Sequence, residues 1–378
     1  MPKRLPSAPP VLPGLTYVRP LGSGGFADVF LYEQDMPRRS VAVKVLPSDV
    51  HDPEMLRMFN AEADVLAHLS AHPSIVTVYQ AGLSADGRPY IVMEYCPGSL
   101  AHRYRTERLP LDEVLAIGVK MGSALESSHR AGLVHRDVKP SNILVTSFGI
   151  PVLADFGISS SLSSTSGGEV LAMSVPWSAP EVIAERTTGS VASEVWGLGA
   201  TVYSLLAGRS PFERLEPGQN SRDQLRRRIQ HATYPRMTRP DVPDTVQDIL
   251  AKAMSREPAD RYPTALAFAE ALRGAQAELG LAQTPIEVAT ADWAPPSPEV
   301  DFADASLRGP VVSSVRHDSA RRTTGPRPLV DRARDEDTDI SLPVAPRRRL
   351  WPWAVVIAAG VVLVAAAIVW AVVAAGQA

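Results

Sequence analysis

The segment LVHRDVKPSNILV, residues 133–145, sets Asp137, Lys139 and Asn142 within six positions, with an apolar run on either side. Further along, LADFG (153–157) ends another apolar run in Asp155. One carboxylate at such a site can orient a hydroxyl and accept its proton. An amide and a second carboxylate can hold a hard cation, because magnesium prefers oxygen ligands. Lys139 adds a positive point charge beside the same place. A base, two oxygen ligands and an ammonium are the inventory for phosphoryl transfer, in which positioning and charge neutralisation supply most of the catalysis.

Chemistry of that kind needs a phosphate cradle upstream. LGSGGFADVFL (21–31) offers one, since Gly22, Gly24 and Gly25 let backbone N–H groups approach anionic oxygens with no Cβ in the way. By itself a glycine-rich turn is equally a plain loop. SVAVKVL (40–46) follows, an alternating apolar strand that carries Lys44. A lysine there is either a solvated edge residue or a functional cation. Glu62, in the next helical stretch, is placed to hold it through an ion pair.

The elements that must position these groups lie in residues 15–272. Apolar runs alternate there with turn signals, and FNAEADVLAHL (59–69) and VQDILAKAM (246–254) carry helical periodicity. At 378 residues and 45% apolar, the chain is long enough for one large domain plus further segments. A net charge of -3 gives no overall basic field for nucleic acid. A single cysteine, Cys96, excludes a disulfide framework and points to a reducing compartment.

The flanks read differently. Residues 1–14, MPKRLPSAPPVLPG, hold no apolar stretch of signal-peptide length and read as a disordered N-terminus. From 273 to 346 Pro, Ser, Arg and Asp dominate. Such a segment cannot bury enough apolar surface to offset its ordering entropy, so it reads as a disordered juxtamembrane linker rather than a loop-rich minor domain. Residues 353–375 carry no charge. As a helix they would rise roughly 34 Å, enough for a hydrocarbon core of about 30 Å. Arg347, Arg348 and Arg349 precede the run, and Trp351, Trp353 and Trp370 lie near its ends, which suits a membrane interface. The expectation is a single-pass transmembrane helix in the cell membrane, with the globular part cytoplasmic and the C-terminus outside.

In order and spacing, the glycine loop, VAVK, HRDVKPSN, DFG and APE resemble the protein kinase family, and the eukaryotic-like bacterial Ser/Thr kinases in particular, over residues 15–272. The resemblance implies an α+β fold of two lobes, a small β-rich N-lobe (15–94) and a large helical C-lobe (97–272), with the active site in the cleft between them. It implies ATP and Mg2+ as cofactors, with Mn2+ as an alternative ion. Leu21, Gly22, Ser23, Gly24, Gly25, Phe26 and Val29 would cover the nucleotide. Ala42 and Leu144 would help sandwich adenine, Met93 would border its pocket, and the backbone of Glu94 and Cys96 would hydrogen-bond it. Lys44, held by Glu62, would contact the α- and β-phosphates. Asp137 would orient the substrate hydroxyl, Lys139 would neutralise the γ-phosphate, and Asn142 and Asp155 would hold the metal ions. Leu66, Val78, His135 and Phe156 would form the hydrophobic column that aligns the lobes, and Glu181 and Arg261 a structural ion pair.

Within the family, Lys139 two residues after Asp137, with Ser174 where a hydroxyl touches both, marks a Ser/Thr rather than a tyrosine kinase. Three features depart from the pattern. The third loop glycine is Ala27, the hinge is followed by a short PGSL, and Glu194 stands where an Asp usually accepts N–H groups of the catalytic loop. The expected function is ATP- and Mg-dependent phosphorylation of protein hydroxyls in membrane-associated signalling. A pseudokinase scaffold that binds ATP and partners without turnover is the alternative, and a small-molecule kinase a weaker one.

Arg136, beside Asp137, is a cation of the kind that a phosphate on the activation loop neutralises. Autophosphorylation is expected within 159–174, at Thr165 or Ser166. Thr323, Thr324 and Thr338 are further candidates, and DEDTDI around Thr338 resembles a docking site for a phosphothreonine-binding domain. A flexible linker of this length would span about 50 Å, so neighbouring copies could associate transiently and phosphorylate one another. The remaining expected partners are protein substrates and the membrane, not nucleic acid.

Overall fold

The computed structural model describes residues 6–23, 27–46, 59, 63–156, 174–216 and 218–288. All of them lie in one compact unit, Met1–Glu299, while a second, Val300–Ala378, lies outside the described residues. Gly24, Gly25, Phe26, Glu62, Thr165, Ser166, the three linker threonines and the apolar run 353–375 also lie outside them. Among the described residues no helix is long and apolar enough to cross a membrane.

Strands β1 (Leu15–Ser23), β2 (Asp28–Gln34), β3 (Arg39–Val45), β4 (Val78–Leu83) and β5 (Pro89–Glu94) form an antiparallel sheet in the order β1-β2-β3-β5-β4. The period of two along a strand decides which face each residue serves. In β3, Val41, Val43 and Val45 enter a core shared with Phe30, Tyr32, Tyr90 and Val92. Ala42 belongs to the opposite face and to a second apolar patch. Lys44 is two residues further on, on Ala42's face, and is 9% exposed. A slip of one residue would drive its ammonium into the valine core, so burial of the valines fixes the register. Residues 63–69 are helical and form α1.

The larger body is helical: α2 (Leu100–Thr106), α3 (Leu111–Arg130), α4 (Pro180–Ile183), α5 (Val191–Ala207), α6 (Arg222–His231), α7 (Asp244–Ala253) and α8 (Ala265–Glu278). Helix α5 is buried from Ser193 to Leu206, as its all-round apolar sequence requires. Ser190 and Ser193 exchange side-chain and backbone hydrogen bonds at its start, and Gly208, at φ 72°, closes its end. Helix α3 runs so close to α8 that a Cβ on Gly122 would stand 2.8 Å from the Ala269 methyl carbon. Three short strands, β6 (Gly98–Ser99), β7 (Ile143–Val145) and β8 (Pro151–Leu153), make a separate small antiparallel sheet. The division into a β-rich part and a helical part expected from the sequence is therefore present.

Order extends past both ends of the expected 15–272 domain. Ser7 donates from its N–H and its hydroxyl to Asp28, at 2.9 and 2.7 Å. Arg88 donates to Ser7 Oγ and to the Ala8 carbonyl, and the Tyr32 hydroxyl to the Pro10 carbonyl at 2.6 Å. Buried Asp28 and Arg88 need partners, and prolines pre-set the extended backbone that supplies them at reduced entropic cost. At the other end α8 continues through Glu278, and residues 281–287 pack back on the helical body. The composition shift at 273 reflects the Pro-rich sequence further on, not the end of the fold.

Candidate active site

The β7–β8 hairpin gathers the site. Ile143 pairs with Leu153 and Leu144 with Val152, and the Ala154 N–H donates to the Asn142 carbonyl at 2.9 Å. Asn142 and Asp155 thereby leave the same end of one hairpin, although 13 positions separate them in the chain. Asp155 and Arg136 both sit in the left-handed region, at φ 60° and 69°. That conformation costs a non-glycine residue about 1–2 kcal/mol, and it is tolerated here where the surroundings over-determine it.

Around Asp137 the contacts are dense. Its Oδ2 accepts from Lys139 Nζ at 2.5 Å and from Asn142 Nδ2 at 3.1 Å. Asn142 Nδ2 also donates to the Asp137 carbonyl at 2.8 Å, which fixes the amide and turns Oδ1 away as an acceptor. Lys139 Nζ bonds Ser174 Oγ at 2.8 Å, so the hydroxyl expected beside Lys139 is there. The Asp137 N–H donates to His135 Nδ1, which leaves Nε2–H to donate to the Ala154 carbonyl at 2.9 Å. The imidazole thus joins the catalytic loop to the approach to Asp155.

Across the cleft Lys44 Nζ lies 3.0 Å from Asp155 Oδ1. Lys44 holds the Asp155 carboxyl, itself partly exposed, below the usual carboxylate range. Glu62 lies outside the described residues, so Asp155 is the partner described for Lys44. Ala42, Met93, Val76, Val152 and Ala154 form an apolar patch, with Leu21, Val29, Cys96 and Leu144 packed against it. Six of these nine, Leu21, Val29, Ala42, Met93, Cys96 and Leu144, are residues expected to line the nucleotide site. Val76, Val152 and Ala154 were not anticipated, although the alternation in PVLAD carries the last two. Burial pushes the Cys96 thiol up to about 12, so it serves the patch as an apolar group and not as a thiolate.

The supporting contacts are present as well. Phe156 and Leu66 are buried in the main core with Val78 against it, and the His135 and Phe156 rings are 4.6 Å apart. Arg261 and Glu181 form a bidentate buried pair at 2.6 and 2.8 Å. Glu194, 2% exposed, meets the loop through its extra methylene: Oε1 accepts from the Arg136 N–H, and Oε2 meets His129 Nε2, each at 2.5 Å. His129 was not foreseen, because nothing local in the sequence marks it. A separate cleft of about 450 Å³, lined by Tyr203, Tyr234, Met237 and Leu250 among others, contains none of these groups.

The donor set fits a hard cation. Asn142 Oδ1 and the anionic Asp155 carboxylate are oxygen donors that would hold such an ion, and phosphate oxygens would supply the rest of its shell. Among the described residues no cluster of three or more His, Cys, Asp or Glu forms an all-protein cage.

A five-stranded sheet, a helical body, and a carboxylate held by a lysine and an amide on the hairpin that also carries a lysine–aspartate pair are the parts that phosphoryl transfer needs. The chain belongs to the protein kinase family: the protein kinase domain matches residues 15–272. It is similar to the serine/threonine-protein kinase PknK of Mycobacterium tuberculosis (strain ATCC 25618 / H37Rv), 41% identical over 272 residues, covering 71% of this chain and 24% of that protein. It is also similar to the serine/threonine-protein kinase PrkC of Bacillus subtilis (strain 168), 37% identical over 255 residues, covering 66% and 38%. The crystal structure of a mutant form of the Mycobacterium tuberculosis PknI kinase domain superposes with a TM-score of 0.54 at 30% identity, covering 72% of this chain and 100% of that one. The chain spans about a quarter of the length of the PknK relative.

Proposed function

We propose that the protein transfers the γ-phosphate of ATP to serine or threonine hydroxyls of proteins, with magnesium. The observation that carries this reading is that one hairpin end, closed by the Ala154 N–H to the Asn142 carbonyl, joins the Asp137–Lys139–Asn142 cluster to the Lys44–Asp155 pair. Among the described residues, Asp137 Oδ2 is taken by Lys139 and Asn142. Oδ1 is then the oxygen that orients the substrate hydroxyl and accepts its proton. Lys139 lies where charge develops on the transferred group, and Lys44 where the α- and β-phosphates enter. The apolar patch around Ala42, Met93 and Leu144 receives adenine. Asn142 and Asp155 would hold magnesium, which neutralises phosphate oxygens when bound.

The surrounding biology belongs to the same proposal. The kinase domain works at the cell membrane through the apolar run 353–375, autophosphorylates within 159–174, and meets neighbouring copies and a phosphothreonine-binding partner through its linker. The test is incubation of the purified full chain with labelled ATP, magnesium and a generic acceptor protein, with Asp137→Asn as control. Label is expected on Ser and Thr, lost in the variant. ATP binding with no transfer by the unmodified chain would overturn the reading in favour of a scaffold.

A further inference from the structure

Residues 281–287 return across the helical body to a turn far away in sequence. Gly280, at φ 67°, ends α8, and the Leu281 N–H donates back to the Gln276 carbonyl at 2.8 Å. The buried Gln276 amide then holds Thr284 twice, donating to its hydroxyl and accepting its N–H, each at 2.9 Å. Leu281 and Ile286 pack on the main core. The Glu287 N–H donates to Ser123 Oγ on α3 at 3.3 Å, and its carbonyl meets His72 Nε2 at 2.6 Å.

His72 opens the turn between α1 and β4. Its Nδ1 accepts from the Ser74 N–H at 3.0 Å, so the proton on the ring belongs to Nε2 and points at the Glu287 carbonyl. Burial lowers its pKa, in keeping with a neutral ring. The same turn is stitched to β8: the Leu153 N–H donates to the Ser74 carbonyl at 2.9 Å, and the Val76 N–H to the Leu153 carbonyl at 3.0 Å. Leu153 is two residues before Asp155. Val76 belongs to the adenine-side patch. Helix α1, which follows Glu62 in the chain, ends at this turn.

We infer that residues 281–287 are a strap that, through His72, sets the 72–76 turn and with it the position of Asp155 and of α1. His72 is then a positioning residue for phosphoryl transfer, acting through backbone it does not share with the reacting groups. The catalytic half of this inference rests on the kinase reading; the structural half does not.

The experiment releases the strap in the full chain with Thr284→Ala plus Ile286→Asp, and separately compares His72→Ala with His72→Gln, which keeps a donor and an acceptor. Hydrogen exchange is read first, because it needs no activity. Release is expected to speed exchange of the Leu153 and Val76 amides about tenfold while α5 amides stay unchanged. His72→Ala should do the same and His72→Gln should restore most of it. In active protein the KM for ATP should rise several-fold more than kcat falls. Unchanged exchange at 74–76 and 153 would overturn the strap, and so would acceleration spread equally through α5, which would make it mere packing. Loss of transfer by the unmodified chain would instead sink the kinase reading and leave the exchange result to judge the strap.

Discussion

Asp137 is worth following at the level of single atoms, because its two oxygens have different work. Oδ2 is held by an ammonium and an amide, which leaves Oδ1 to a substrate. Asp137→Asn should therefore lower kcat by about 10²–10⁴-fold, the range of a lost general base, while ATP affinity changes little, since the Lys44 side of the site is untouched. Steady-state kinetics with separate nucleotide titration checks this. Asp155 gives a pH prediction. Its folded pKa lies below the unfolded one because of Lys44, so the stability from the pair is fully present above the ordinary carboxylate range and is lost as pH falls through the folded value. Urea midpoints of the unmodified chain and of Asp155→Asn should stay a constant distance apart from about pH 8 to about pH 5, and converge only below about pH 4. These groups were legible in the sequence because their chemistry is crowded into short segments. His129 was not, since its role depends on Glu194, 65 positions away.

At the scale of elements, the site depends on helices being held at fixed separations. The Arg261 guanidinium bridges the short helix α4, through Glu181, to the carbonyls of Ala192, Ser255 and Arg256. One side chain thus joins the start of α5 to the turn after α7. Removing one partner of such a buried pair leaves an uncompensated charge, so Arg261→Ala should cost about 3–5 kcal/mol. The double variant Glu181→Leu plus Arg261→Met should recover part of that, but not all, because the three backbone carbonyls still lose their donor. Denaturant titration of the unmodified chain and both variants decides it, and full recovery would show that the carbonyl bonds contribute nothing. The pairing of Glu181, in APE, with Arg261 was readable from the resemblance alone. The register of β3 was readable from physics alone, since alternating valines leave Lys44 only one face.

Over the whole folded unit, the working boundary is wider than the motifs suggest. Ser7, Pro10 and Leu12 close the outer face of the sheet, and Gln276, Thr284 and Ile286 close the helical body. The sequence hid both, because the contacts that tie each segment to the body join distant residues, 21 positions apart for Ser7 and Asp28 and 215 for His72 and Glu287, and lie in segments of low apolar content. A fragment cut to 15–272 would lose the buried Leu12 side chain, which contributes about 1.5–3 kcal/mol. The Tyr32 hydroxyl would lose its bond to the Pro10 carbonyl, and Asp28 and Arg88 would lose their bonds to Ser7 and Ala8, although Arg88 keeps Asp86. The missing last turns of α8 add to that. These losses are a sizeable share of the stability of an ordinary domain, about 5–15 kcal/mol. A fragment of residues 6–288 should therefore unfold in urea at a clearly higher midpoint than a fragment of 15–272. Equal midpoints for the two fragments would mean that the flanking segments only lie on the surface they cover.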